Sequence, residues 1–251
     1  MPKTIAIAGK GGVGKTTIAS LLIHHLSKKG LVLAIDADPS ANLNQALGLT
    51  YDQTVGGIRE DLSGEVRKGT FEAGVTKKEF LDLKLAEAIA ESENIDLLVM
   101  GRPEGPGCYC AVNNILRSII DNISDKYDYV VIDCEAGMEH ISRQTTRDLD
   151  CLIIVSEPSM RSLNSAVGIK ELIAEIRTKT AKIVVVINRV AKELPPEIWH
   201  FIEENGLTPA FTIPMDEELY DLELKGKPVI DLPLEAHLQQ GVQRLEQELG
   251  L

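Results

Sequence analysis

The sequence predicts an α/β protein with a doubly wound, mostly parallel sheet that is flanked by helices on both faces. Three observations favour this fold class. Short apolar runs alternate along the chain with segments of helical periodicity. Most of these runs are rich in Val and Ile without polar alternation, which is typical of strands covered on both faces. The first run leads directly into a glycine-rich loop that opens a helix.

Seven apolar runs are expected to form the sheet: Thr4–Ala8, Leu31–Ile35, Ile95–Met100, Tyr129–Ile132, Cys151–Val155, Ile183–Ile187 and Ala210–Ile213. Helices are expected between them, at Ile18–Ser27, Ala111–Ile123, Ser162–Arg177 and Glu197–Glu204. The region from about 50 to 94 is charged and has no strong strand pattern, so we expect a helical insertion there. Since no linker or repeat divides the 251 residues, a single domain over 1–251 is predicted.

The loop after the first strand reads Gly-Lys-Gly-Gly-Val-Gly-Lys-Thr-Thr and fits the P-loop pattern of nucleotide-binding proteins. Its amides and the following helix N-terminus are expected to point at the phosphates of ATP. Lys15 then neutralises charge between the β- and γ-phosphates, and the Thr16 hydroxyl completes the coordination of Mg2+. The predicted nucleotide contacts of the loop are Gly11, Gly12, Val13, Gly14, Lys15, Thr16 and Thr17. The alternative is an ordinary glycine-rich turn.

Carboxylates follow two of the predicted strands. Asp36 and Asp38 come at the end of the second strand, and Asp133 ends the run Val130–Ile132. We expect Asp36 and Asp133 to serve the magnesium ion and Asp38 to orient the water that attacks the γ-phosphate. The alternative for the first pair is a polar turn at a strand end.

Asn188 and Arg189 close a later strand. The amide of Asn188 can present both a donor and an acceptor to the edge of adenine. We therefore expect this segment to contribute to the nucleotide site, although plain loop chemistry is the alternative.

Two thiols lie two positions apart, Cys108 and Cys110, in a loop rich in glycine and proline. Thiolate softness suits Ni2+, Zn2+ or Cu(I). Two ligands do not close a site, but four do if a twofold axis brings two such loops together. A redox couple and simple packing of small side chains are the alternatives.

The overall charge restricts the partners. The chain carries a net charge of −12 and no cluster of Lys or Arg, which argues against nucleic acid. Its C-terminal stripe of Leu234, Leu238, Val242, Leu245 and Leu249 has Arg244 as its single basic neighbour, so we expect a docked helix and no membrane contact. Four cysteines in no disulfide-like framework favour a reducing, cytoplasmic location.

The loop with its second lysine, Lys10, resembles the deviant Walker A loop of the MinD/ParA group of ATPases. That resemblance implies a homodimer in which Lys10 reaches the nucleotide of the partner, and a catalytic set of Lys10, Lys15 and Asp38. The Asp-x-Asp-Pro segment is similar to switch I of the same group. Their other base-flanking loop is matched by Pro214, Met215 and Asp216.

The Cys-x-Cys pair and the segment from Asp133 to His140 are similar to CooC-type accessory ATPases, which mature nickel enzymes. This resemblance implies an ATP hydrolase coupled to metal insertion, with Cys108 and Cys110 holding Ni2+ or, in the same site, Zn2+. It also implies a client, either carbon monoxide dehydrogenase or acetyl-CoA synthase, and dimerisation on binding ATP or metal. An iron–sulfur reductase like the nitrogenase iron protein and a positioning ATPase like MinD or ParA are the alternatives.

Overall fold

The computed structural model describes residues 2–68, 77–101, 123–136, 148–175 and 179–251. Seven strands form the sheet: β1 Lys3–Gly9, β2 Val32–Asp36, β3 Ile95–Val99, β4 Tyr129–Ala136, β5 Asp148–Ser156, β6 Lys179–Val190 and β7 Ala210–Pro214. The helices are α1 Lys15–Leu26, α2 Leu43–Leu47, α3 Val55–Lys68, α4 Lys77–Ala88, α5 Met160–Glu175, α6 Pro196–Glu204, α7 Glu217–Leu224 and α8 His237–Leu249. Short 3-10 turns lie at Ser124–Lys126 and Val229–Asp231.

The strands are arranged in the order β3-β2-β4-β1-β5-β6-β7, and every neighbouring pair is parallel. The predicted doubly wound α/β fold is therefore confirmed, including all seven strands. From β1 the chain first adds β2, β3 and β4 on one side of β1, and then adds β5, β6 and β7 on the other side. Ligands bind at such a reversal, beyond the carboxyl ends of the strands. The loops after β1, β2 and β6 open onto this edge, where β4 also ends.

Each face of the sheet has its own apolar core. Ala6 and Ala8 of β1 lie in the core that includes α5 and α6, whereas Ile5 and Ile7 lie in the core that includes α1, α2 and α8. Because successive strand residues point to opposite faces, a continuous apolar run supplies both cores. This explains why the strands show no polar alternation.

The C-terminal helix α8 docks on α1, as its apolar stripe predicts. Leu238, Val242 and Leu245 are buried in the α1 core. Leu234 is an exception, because it precedes the helix and is 66% exposed. The expected stripe therefore begins at Leu238, one turn later than the sequence pattern indicates. Among the described helices, none is long and apolar enough to span a membrane.

The range 50–94 contributes α3 and α4, which contact each other, and Ile58 and Leu85 enter the core of the α5 face. The helix expected at Ala111–Ile123 lies almost wholly outside the described residues. Cys134 and Cys151 are buried free thiols within β4 and β5. Burial raises the pKa of the Cys134 thiol well above its usual range, so it stays protonated.

Candidate nucleotide-binding site

The glycine-rich loop connects β1 to α1 and leaves the helix N-terminus open. Gly14 precedes the helix with φ 95°, in the left-handed region, and no side chain caps the first turn of α1. That first turn also contains no acidic residue. Its backbone N–H groups are therefore free to bind an anion, and the helix dipole favours a negative charge there. This is the geometry that a phosphate site requires.

Asn188 and Arg189, at the end of β6, brace the loop from outside. The Asn188 amide nitrogen donates to the Val13 carbonyl at 2.9 Å, and Arg189 Nη1 donates to the Gly12 carbonyl at 2.8 Å. A Cβ on Gly14 would collide with the Asn188 amide, so glycine is required there for space as well as for its φ. Asn188 is thus partly committed to the loop, and a contact with adenine stays a prediction.

Thr16 and Asp133 meet beneath the loop. The Thr16 hydroxyl donates to Asp133 Oδ2 at 2.6 Å, whereas the buried Oδ1 has no hydrogen-bond partner among the described residues. Burial raises the pKa of Asp133 to about 7, and the negative charge of Asp36 adds to this effect. The Thr16 hydrogen bond and the positive charge of Lys15 lower the pKa of Asp133, but by less than burial raises it.

This pair fits Mg2+. The ion prefers oxygen ligands, keeps several waters, and uses one or two carboxylates together with substrate phosphates. A buried carboxylate oxygen without a partner beside a hydroxyl is a suitable anchor for it. No group of three or more His, Cys, Asp or Glu side chains converges on a metal position within the described ranges, so protein ligands alone do not form a closed cage here.

Asp36 ends β2 opposite Asp133 in the register of the two strands. Its carboxylate accepts from the backbone N–H of Leu43 at 2.9 Å and of Asp38 at 3.1 Å. It thereby caps the N-terminus of α2 across seven residues. Burial raises the pKa of Asp36 to about 6. The structure gives Asp36 a capping role, and its service to magnesium stays a prediction.

Lys15 and Asp38 are held in place by contacts with the backbone. Lys15 is buried, and its ammonium group donates to the Lys10 carbonyl at 3.2 Å. Asp38 Oδ1 accepts from the Ser40 N–H at 2.8 Å and stabilises the turn after β2. Both side chains line one cavity.

That cavity has a volume of about 650 Å³ and lies over the loop and the start of α1. From the loop and the start of α1 it is lined by Gly11, Gly12, Gly14, Lys15, Thr16 and Thr17. Its lining also includes residues that the sequence did not single out: Gln45 of α2, Glu135 of β4, and Glu223, Gly226 and Lys227 near the end of α7. The glycine at 226 predicts a turn, but only the packing of α7 brings Gly226 and Lys227 to the cavity.

Asp216 has a structural task that the sequence analysis missed. Its carboxylate accepts from the backbone N–H groups of Glu218 and Leu219 in α7 and of Leu238 in α8. Asp216 therefore caps two helices at once, while the neighbouring Met215 is exposed. Neither residue lines the cavity described above, nor does Pro214. A contact of this segment with the base stays a prediction.

Cys108 and Cys110, together with His140, lie outside the described residues, so their predicted metal site stays a prediction. The structure brings together the loop, Thr16, Asp38 and Asp133, with Asp36 directly beneath. This set can bind the phosphates of a nucleotide and hold a magnesium ion against them.

Comparison with known proteins agrees with this geometry. A family model described as an AAA domain matches residues 2–187. The chain belongs to this family of P-loop ATPases. An uncharacterized ATP-binding protein of Methanocaldococcus jannaschii is 44% identical over 98% of this chain and 97% of that protein.

Two further proteins are similar to this chain, one by sequence and one by fold. The carbon monoxide dehydrogenase accessory protein CooC of Rhodospirillum rubrum is 38% identical over 70% of this chain and 71% of that protein. The septum site-determining protein MinD of Pyrococcus horikoshii, solved with Mg-ADP, has a TM-score of 0.70, 23% identity, and coverage of 99% of this chain and 96% of that one. At that identity, the MinD likeness shows the fold.

Proposed function

We propose that this protein is an ATP-hydrolysing metallochaperone. It forms a homodimer on binding ATP or metal and inserts nickel into carbon monoxide dehydrogenase or acetyl-CoA synthase. The observation that carries this proposal is the 38% identity to CooC, a protein named as an accessory of carbon monoxide dehydrogenase. The Cys108-x-Cys110 pair in the sequence supports it. A cytoplasmic location belongs to the same proposal.

The residues of the chain divide the work on ATP. The amides of the loop and Lys15 hold the phosphates, and Thr16 with Asp133 would hold Mg2+, which lowers the effective charge of the β- and γ-phosphates when bound. Asp38 accepts a hydrogen bond from the attacking water. Lys10 of each subunit contacts the nucleotide of the other, so that turnover is coupled to dimer closure.

The metal cargo is assigned to the cysteine pair. Cys108 and Cys110 of two subunits supply four thiolates around one ion on the twofold axis. Ni2+ can take a planar arrangement of four sulfurs, and Zn2+ a tetrahedral one at about 2.3 Å. ATP-driven closure changes the distance between the two loops and hence the affinity for the ion. By linkage, the metal changes the affinity for ATP by the same factor.

The test is metal stoichiometry in the wild type, Cys108→Ser and Cys110→Ser, each with and without a non-hydrolysable ATP analogue. We expect one nickel ion per two chains in the wild type and loss of binding in both variants. Cys151→Ala, which removes a buried thiol of β5, is the matched control and should bind nickel normally. One ion per monomer, or undiminished binding in both loop variants, would contradict the shared site. A brown, iron-containing protein after anaerobic purification would instead identify an iron–sulfur reductase.

A positioning ATPase is the second candidate, favoured by 31% identity to the septum site-determining protein MinD of Thermotoga maritima over 74% of this chain and 63% of that protein. The net charge of the chain argues against this candidate. At −12, the protein is repelled by both nucleic acid and anionic lipid. ATP-dependent binding to vesicles or DNA together with no nickel binding would favour this candidate over the metallochaperone.

A further inference from the structure

A β-bulge lies in β4 at the point where this strand meets the cavity. Ile7 of β1 pairs with Asp133, and Gly9 pairs with Ala136. Two steps along β1 thus correspond to three along β4, so β4 carries one extra residue between these pairs. Bulges change the direction of nearby side chains and are frequent next to active sites.

The three side chains around the bulge lie in three different environments. Asp133 reaches Thr16 at the start of α1, and Cys134 is fully buried in the core of the α5 face. Glu135 is half-buried and lines the phosphate cavity. A carboxylate in this place faces the same space as Lys15 and Asp38.

The chemistry of the cavity limits what Glu135 can do there. Direct contact with a phosphate is unfavourable, because like charges repel. The magnesium position already has Thr16 and Asp133, which are joined by a 2.6 Å hydrogen bond. A carboxylate can still accept a hydrogen bond from a water molecule.

Asp38 alone does not fix such a water. Its Oδ1 is committed to the Ser40 N–H at 2.8 Å, which leaves Oδ2 for one hydrogen of a water. A water has two hydrogens, and one acceptor leaves its rotation free. Two acceptors, one in the turn after β2 and one in β4, fix both hydrogens and direct the lone pair of the oxygen at phosphorus.

We propose that Glu135 is a second positioning residue for ATP hydrolysis, which holds the attacking water together with Asp38. The water oxygen forms a bond to the γ-phosphorus, the bond from that phosphorus to the bridging oxygen breaks, and its electron pair stays on ADP. Both hydrogens of the water end on the released phosphate, so ATP4− and water give ADP3− and H2PO4−. Glu135 orients the water and is unchanged at the end of the cycle.

The first test is Glu135→Gln, which keeps the size of the side chain and halves its acceptor capacity. We expect kcat to fall by about tenfold or more, while KM for MgATP and the Kd for MgADP change by less than about twofold. Glu135→Asp retains the carboxylate and should recover part of kcat. Glu203→Gln, an exposed position on α6, is the control and should behave as the wild type.

A binding measurement separates positioning from a structural role. MgADP with aluminium fluoride imitates the planar phosphoryl group with a water in line, and MgADP with beryllium fluoride imitates the ground state. Glu135→Gln should weaken the first complex by a factor similar to its loss of kcat and leave the second unchanged. In the double variant with Asp38→Asn, the fold-loss in kcat should be smaller than the product of the two single fold-losses. The reason is that both residues hold the same water.

Three results would overturn the proposal. They are a wild-type kcat in Glu135→Gln, an equal weakening of both fluoride complexes, and a raised Mg2+ concentration for half-maximal turnover, which would assign Glu135 to the ion. The inference depends on ATP hydrolysis and is independent of the metal cargo. Failure of the nickel test therefore leaves it standing, and its own failure leaves the cysteine site untouched.

Discussion

Asp133 shows at the scale of one residue how burial outweighs local stabilisation. The Thr16 hydroxyl and the Lys15 charge both favour the carboxylate, yet desolvation and the neighbouring Asp36 raise its pKa to about 7. Without a cation, the folded protein therefore holds a proton that the unfolded chain would release. A divalent ion at the bare Oδ1 offsets this cost directly, because it supplies the charge that water no longer supplies.

Without nucleotide, Asp133→Asn should therefore be more stable than the wild type at high pH. The pKa of this carboxyl is raised from 3.8 in the unfolded chain to about 7 in the fold. Between these values the native state binds more protons, so the free energy of unfolding of the wild type falls as pH rises. The melting temperature of the variant should thus exceed that of the wild type at about pH 8, and the difference should shrink towards about pH 5.

The same variant should lose the gain in ATP affinity that Mg2+ provides, since the neutral amide is a weaker ligand. Asp125→Asn, at an exposed position, serves as the control in both measurements. An equal drop in the melting temperature of Asp133→Asn at both pH values would show that the raised pKa is not the cause.

At the scale of elements, two helices depend on one side chain. Asp216 accepts from the first turn of α7 at 3.0 and 3.2 Å and from Leu238 at the start of α8 at 3.0 Å. The far end of α8 is held by lysines from other elements, with Lys3 donating to the Gly250 carbonyl and Lys182 to the Glu248 carbonyl. Cations at a helix C-terminus and a carboxylate at its N-terminus both complement the dipole.

Asp216→Ala should lower the free energy of unfolding by about 2 kcal/mol, since an N-cap contributes about 1 kcal/mol and this one serves two helices. Nucleotide affinity should also fall, because α7 leads directly into Lys227, a cation that lines the cavity. Urea unfolding and nucleotide titration measure the two effects.

Asp221→Ala is the matched control, since Asp221 is exposed on the same helix. A loss below about 0.5 kcal/mol in Asp216→Ala, equal to that of the control, would mean that solvent replaces the cap without cost.

At the scale of the whole molecule, the nucleotide cavity is open on one side, and its cations do not outnumber its carboxylates. Asp38, Glu135 and Glu223 line it, against Lys15, Arg189 and Lys227, and Arg189 is paired with Glu157 at 3.0 Å. ATP adds further negative charge. A lysine from a second subunit would balance this charge and cover the open side, which is the role proposed for Lys10.

Lys10→Ala should bind ATP with near-wild-type affinity, stay monomeric with a non-hydrolysable analogue, and hydrolyse ATP slowly. Light scattering gives the molar mass and a phosphate assay the rate. Lys192→Ala, at an exposed position after β6, is the control for the loss of a lysine. A Lys10→Ala protein that dimerises on ATP and turns over at the wild-type rate would remove the contact between subunits.

The sequence by itself determined the sheet and the core of the phosphate site. Strands such as Thr4–Ala8 form continuous apolar runs, because both faces of a parallel sheet are buried. The P-loop is equally local, since its glycines, Lys15 and Thr16 all lie between the end of one strand and the first turn of the next helix. Asp133 was predictable as well, because it ends a strand that must open onto the same edge.

Only the tertiary structure decided the roles that depend on distant parts of the chain. Asn188 braces the loop through Val13, 175 residues away in the sequence, and Asp216 reaches Leu238 through the packing of α8 on α1. Glu135 enters the cavity through a bulge, which is defined by pairing with β1 and leaves no local signature. Sequence periodicity records which face of an element is buried, whereas these contacts depend on which elements become neighbours once the sheet has formed.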